Sequence, residues 1–383
     1  MMSQPKKLTH GGENINIGSI FGTLLVVCGS VLLFWNEGSA IKVSLALEEG
    51  LKYITVPDTI EVSNAENENK LVLIGGNLAM KESLRDDAYG VSVNAVKLRK
   101  VVEVYQWKEM EHTSKVTVTD EHGKKVTKEE KSYTYEKDWF DHHIDSTLFN
   151  RDYGYQNPPK SVWPADSNTK ISNAVKIGGF ILGSDLKDKM TDFTPLRNEE
   201  LPTSAWTWVQ LHDGSYYHTR NIWNPVIGDY RVTFFCAGRA GNLFTVVGKQ
   251  SNDEIIPYET VTGEELLILQ SGLKDAKEVF MAEQLNNRAW TWVLRFLGWL
   301  LVFLGMFSMS RILEETLDPA VKMALTLGLA NLSFSTSISV TLTTVGLGWI
   351  SHYPSLGICL ILIGVIPYTI KMFLTPAGEK KSD

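Results

Sequence analysis

Between Met323 and Ile370 the chain has no Lys, Arg, Asp or Glu, a gap of 48 residues in a 383-residue sequence that is 21% charged. A helix rises ~1.5 Å per residue and a bilayer's hydrocarbon is ~30 Å thick, so the gap is about two crossings long. It excludes a wholly soluble protein. The run divides at Ser351-His352-Tyr353-Pro354, where Pro354 disfavours helix in the residue before it and Trp349 and Tyr353 suit the headgroup level. Spans are therefore expected at 323–349 and 355–374.

Cysteine is scarce too. Of three, Cys28 and Cys359 fall in apolar runs and only Cys236 in the long polar middle, which excludes a disulfide within that part. The single Asn-x-Ser/Thr match, Asn331-Leu332-Ser333, lies inside an expected span, where it cannot be glycosylated. Also missing are Cys-x-x-Cys, His-Glu-x-x-His, Gly-x-Ser-x-Gly and any phosphate-binding glycine loop. No catalytic residue, cofactor or metal is expected. The net charge of -7 and mean hydropathy of -0.07 average two unlike parts, and neither points to nucleic acid.

What is present completes a membrane topology. Residues 17–36 begin with a charge-free run ending in Phe34-Trp35, and no small-residue cleavage site follows, so this segment is expected to stay as an anchor. Residues 289–310 hold one charge, Arg295, expected to snorkel toward the nearby water boundary. Four spans put the tails 1–16 and 375–383 on one side. Lys6, Lys7, Lys371, Lys380 and Lys381 favour the cytoplasm, although Arg288 and Arg295 would then lie on the outer side. Residues 37–288 become a lumenal or periplasmic domain of one or two cores. The expected fold class is an α+β membrane protein: four transmembrane helices, one N-terminal and three C-terminal, with a large, mainly β domain.

Within that domain the first span is expected to run on as an amphipathic helix, its apolar spacing interrupted only at Glu48-Glu49-Gly50, until Pro57-Asp58 ends it. A short strand at 71–74 should stop at Gly75-Gly76. Residues 91–107 read as a strand or hairpin arm, and the highly charged 112–131 as a solvated hairpin. Further strands are expected near 175–182, 206–217, 230–237 and 243–249. Residues 275–287 read as a helix running into the second span.

His142-His143 with Asp141 and Asp145, joined by His212 or His218, is the best metal-like group. Adjacent strand residues point to opposite faces, however, which favours ordinary surface histidines. In the third span Ser335, Ser339 and Thr343 recur every four residues, and in the first Gly18 and Gly22 form a Gly-x-x-x-Gly pair. Small residues let backbones approach, so these faces are expected to pack helices, against the alternative that the hydroxyls only bond their own helix.

Several short motifs, in order, resemble the LUMA (transmembrane protein 43) family. They are Phe34-Trp35-Asn36-Glu37-Gly38, Ala95-Val96-Lys97-Leu98-Arg99 before Tyr105-Gln106-Trp107, and Gly228-Asp229-Tyr230-Arg231-Val232. Thr291-Trp292 through Gly298-Trp299, Met309-Ser310-Arg311-Ile312-Leu313 and Gly348-Trp349 before Tyr353-Pro354 extend the likeness over nearly the whole chain. The resemblance implies a four-pass protein, in animals of the endoplasmic reticulum and inner nuclear membrane. There it would be a self-associating organiser of the nuclear envelope with emerin- and lamin-like partners. In bacteria the same architecture would sit in the cytoplasmic membrane.

Read physically, Trp35-Asn36-Glu37-Gly38 is a headgroup contact or hinge, or an aromatic anchor followed by boundary residues. Tyr105 and Trp107 share a strand face expected to be core. Gly228 and Asp229 read as a turn, with Asp229 capping amides and Arg231 pairing with an acid. A non-enzymatic scaffold that contacts membrane lipids and forms a homo-oligomer is the expected function. A lipid-binding or lipid-redistributing protein is the alternative.

Overall fold

The computed structural model describes residues 17–119, 125–203, 206–315 and 319–374, with side chains at 20–117, 129–203, 206–309 and 330–366. Gly18 keeps a helical backbone, but its side-chain surroundings lie outside the described residues, as do the two tails.

Five α-helices occur among the described residues: α1 (Ile17–Tyr53), the one-turn α2 (Ser184–Asp188), α3 (Ala276–Glu315), α4 (Pro319–Trp349) and α5 (Pro354–Leu374). α1 and α3 run beyond their apolar segments, as expected of the stretch after residue 36 and of 275–287. No proline interrupts either, and α3 is opened by a capping box in which Glu278 N–H donates to Asp275 Oδ1 (2.8 Å) and Asp275 N–H to Glu278 Oε2 (3.3 Å). α4 and α5 each begin on proline, whose fixed φ and missing N–H suit the first helical position. Ile20–Tyr53 and Ala276–Met309 are long and apolar enough to cross a bilayer, and Pro354–Ile366 is a shorter apolar helix.

The chain divides into two compact units. The first comprises residues 1–53, 259–266 and 275–383, and the second 54–258 with 267–274. In the helical unit α1 and α3 run antiparallel. Gly22 meets Gly305, Gly29 meets Gly298, and a Cβ added at Gly298 would sit 2.6 Å from Leu33 Cγ. This is the backbone-to-backbone approach that small residues permit. Gly364 of α5 likewise lies against Ser339 and Thr343 of α4.

The second unit is built mainly from two large sheets, beside the small pair Leu84–Asp86 and Val91–Val93. In one, Leu71–Met80 pairs with Leu243–Ser251 and Val175–Ile177, and the pairings close through Phe180–Leu182 and Glu254–Ile256, with Ile268–Ser271 added outside. Val72, Ile74, Val175, Ile177, Phe180 and Val246 fill its interior. The first strand does not stop at Gly75-Gly76. It continues in register, Gly75 opposite Thr245 and Gly76 opposite Phe244.

In the other sheet the order is Gln210–His212, Ser215–His218, Tyr230–Arg239, Ala95–Thr119 and Lys125–Phe140. Leu98, Val102, Val104, Tyr216, Val232 and Phe234 are buried there. Partnering by Tyr230–Arg239 ends at Val104, so beyond it the long hairpin continues as a two-stranded ribbon. Isolated ribbons are marginal. This one gains from Tyr105 against Trp139 (centroids 5.1 Å), Tyr135 stacked on Tyr155 (3.8 Å) and the Lys131–Glu111 pair (2.8 Å).

Candidate functional site

Helical periodicity turns Trp35 outward, 62% exposed, and carries Asn36 and Glu37 to the packed side of α1 with Leu33 and Ile41. Glu37 is 1% exposed. An unpaired carboxylate in such surroundings would be strongly unfavourable, and here it is fully paired. From α3, Arg295 donates through Nε to Oε1 (2.7 Å) and through Nη2 to Oε2 (2.7 Å). From α4, Trp349 Nε1 donates to Oε2 (2.6 Å).

Arg295 therefore does not snorkel alone toward water. Its guanidinium turns inward, lying over the Trp292 ring at 4.8 Å and the Trp349 ring at 6.0 Å. Next to it, Asn36 Nδ2 donates to the Thr291 carbonyl (3.3 Å) and Asn287 Nδ2 to the Ala40 carbonyl (3.0 Å). Three helices are thus tied at one level by charged and amide hydrogen bonds. Both carboxylate oxygens of Glu37 are thereby engaged across helices. Gly38 meets nothing within 4 Å at the position of a Cβ, so close packing does not explain it.

The hydroxyls of α4 divide. Ser335 is exposed and bonds its own Asn331 carbonyl (2.9 Å), so it does not join the packing face expected of it. Ser339 is buried and bonds Ser335 O (3.2 Å), while its backbone and Thr343 meet Gly364.

In the strand-rich unit the core face of Ala95–Thr119 is the one opposite to expectation at the family motif. Tyr105 and Trp107 are half-buried, and Gln106 between them is fully buried. Gln106 donates to His142 O (3.0 Å) and accepts from Ile144 N–H (3.1 Å), which satisfies the buried amide from the loop that follows the hairpin. Gly228 takes φ +94° at its turn, and Asp229 accepts from Val226 N–H and Thr219 Oγ1. Arg231 pairs with Glu103 through two bonds, 2.7 and 3.0 Å.

The histidines do not converge, and among the described residues no group of three His, Cys, Asp or Glu could hold a metal. His142 contacts exposed Asp141, His143 faces Trp163, and His212 lies against Tyr217 and Trp223. His218 is stacked on Tyr230 (4.0 Å) and hydrogen-bonded to Tyr89 (2.9 Å). Burial pushes His218 down to about 4 and raises the Tyr89 phenol. Sequence reasoning missed this cluster because Tyr89 and His218 are remote in the chain. It also missed the Glu37–Arg295–Trp349 group, whose only advance sign is a lone arginine in one span and an acid at the end of another.

Apolar helices with a buried charge network, joined in one chain to a strand-rich unit, define an integral membrane protein. Its relatives make the description narrower. The chain belongs to the transmembrane protein 43 family, whose profile matches residues 104–354. It is 35% identical over 387 residues to transmembrane protein 43 of Pongo abelii, covering 98% of this chain and 94% of the relative. The mouse protein is 36% identical over 372 residues, 94% and 91% of the two chains. The Drosophila melanogaster homologue is 35% identical over 362 residues, 91% and 93%. No solved structure matches the chain.

Proposed function

We propose that the protein is a non-enzymatic membrane scaffold that crosses the bilayer four times and presents its strand-rich unit on the outer side. The carrying observation is the closed network at Glu37. The buried carboxylate accepts three hydrogen bonds from two other helices, an arrangement that spends a charge on fixing one packing. The exposed described parts of the hairpin ribbon, 111–117 and 129–132, are a surface for protein partners. In a nucleated cell the fitting location is the endoplasmic reticulum and inner nuclear membrane, with emerin- and lamin-like partners. In a bacterium it is the cytoplasmic membrane. A homo-oligomer is expected, seated in membrane lipid.

The alternative of lipid redistribution through the strand-rich unit draws no support from its two interiors, which are filled by side chains. Native mass spectrometry of the protein released in its own lipids tests the scaffold. A fixed subunit number or a stable protein complex is the expected outcome, and a lone monomer at all concentrations would sink the proposal.

A further inference from the structure

Beside the Glu37–Arg295 pair two recesses meet. A cleft of about 280 Å³ opens among Ser44 of α1, Asn287 and Arg288 of α3, and Tyr353 in the turn just before α5. An apolar groove of about 420 Å³ runs along Phe296, Trp299, Leu342, Val345 and Leu360, within the about 300–1,000 Å³ of small-molecule sites. Trp292, Arg295 and Trp349 line both, so the two recesses share one wall. The charged groups lining the cleft are Glu37, Arg288 and Arg295. Glu37 neutralises Arg295, and the exposed Arg288 side chain makes no ion pair or hydrogen bond among the described residues, which leaves one net positive charge.

Trp299 and Thr341 line the groove, while their Nε1 and Oγ1 atoms, covered by surrounding protein, have no hydrogen-bond partner. Arg288 is donor-only, and the Tyr353 and Ser44 hydroxyls can donate. The site thus offers donors and one positive charge at its polar mouth and an apolar slot beyond.

We infer that this is a binding site for one anionic glycerophospholipid, with its phosphate at Arg288 and one acyl chain in the α3–α4–α5 groove. Its chemistry is the complement of the site. The phosphate is a negative acceptor, the ester carbonyls below it are acceptors without protons, and the chain is apolar. A net-neutral headgroup would leave the charge of Arg288 unmatched, and a sterol would bring no charge. The site is compatible with a scaffold and does not depend on that reading.

The test uses the full chain in phosphatidylcholine vesicles containing phosphatidylglycerol with a diazirine in one acyl chain, and in parallel the same probe built on phosphatidylcholine. Cross-links of the phosphatidylglycerol probe are expected on peptides holding Phe296, Leu342 and Leu360. Arg288→Gln should lower them about fivefold, which is what one cation near a membrane surface contributes. Because Arg288 is exposed and unpaired, its variant should fold normally. Leu342→Trp, which fills the groove, should abolish the cross-links at an unchanged melting temperature. Labelling spread equally onto the exposed α1 positions Leu24 and Val31, equal capture of the two headgroups, or indifference to Arg288→Gln would each overturn the site and leave ordinary boundary lipid.

Discussion

At the scale of residues, the Glu37–Arg295 pair is the sharpest target. Removing one member of a buried pair strands the other, and about 3–5 kcal/mol is the usual cost. Glu37→Gln and Arg295→Met should each lower stability in detergent by that order, while Glu37→Gln/Arg295→Met should cost much less than their sum. A thermal double-mutant cycle with no coupling would show the pair to be irrelevant to packing. Trp349→Phe removes one charge-assisted bond and should cost about 2 kcal/mol. His218 gives a pH prediction in the other unit. Its folded pKa, about 4, lies below the ordinary 6.5, so the unfolded chain binds the proton more readily. The stability it contributes is complete above pH 6.5, declines as pH falls, and is lost through pH 4. His218→Phe, followed by melting between pH 4 and 7.5, should flatten that decline. An unchanged acid slope would place its cause elsewhere.

At the scale of elements, the α1–α3 crossing rests on glycine pairs that leave no room for a side chain. A Cβ at Gly29 would sit 2.8 Å from the Gly298 carbonyl oxygen. Gly29→Val should therefore cost about 1–3 kcal/mol, the usual range for overpacking. Ser339→Leu should loosen α4 from α5, and Ser335→Leu, on an exposed face, should be near neutral. Equal melting temperatures for the two serine variants would contradict this division. The expected spacing of four residues identified a face in α4 but could not say how far it extends, since packing depends on where Gly364 of α5 arrives. Charge-free runs revealed where apolar helices lie. The helical spacing of Val279, Phe280 and Leu285 also showed how α3 extends ahead of its apolar run, whereas its end at Glu315 was hidden because residues such as Leu313, Glu314 and Glu315 continue a helix past the apolar signal. Alternation likewise predicted a shared face for Tyr105 and Trp107. It could not reveal that Gln106 is the buried one, because its partners, His142 and Ile144, come from a loop with no sequence signature.

For the whole molecule, the decisive property is the number of crossings. α1 and α3 have the length and hydropathy for two, and α4 with α5 would add a return pair. An even number places both tails together, and with four the short turn at 351–353 shares a side with the residues between α1 and α3. A two-crossing protein with α4 and α5 kept on one side of the bilayer would place that turn with the tails. The alternatives separate cleanly in a cysteine-free background, made by replacing Cys28, Cys236 and Cys359. Single cysteines at Ser351, at Glu136 on the hairpin and at Ser382 are then treated with a membrane-impermeant maleimide in sealed vesicles of one orientation. Four crossings predict that Ser351→Cys and Glu136→Cys react together and that Ser382→Cys reacts only after permeabilisation. Joint labelling of 351 and 382, apart from 136, would reduce the crossings to two. It would also remove the membrane setting that Glu37, Arg295 and Trp349 require of one another, since Trp349 reaches Glu37 from the same helix end that carries the turn.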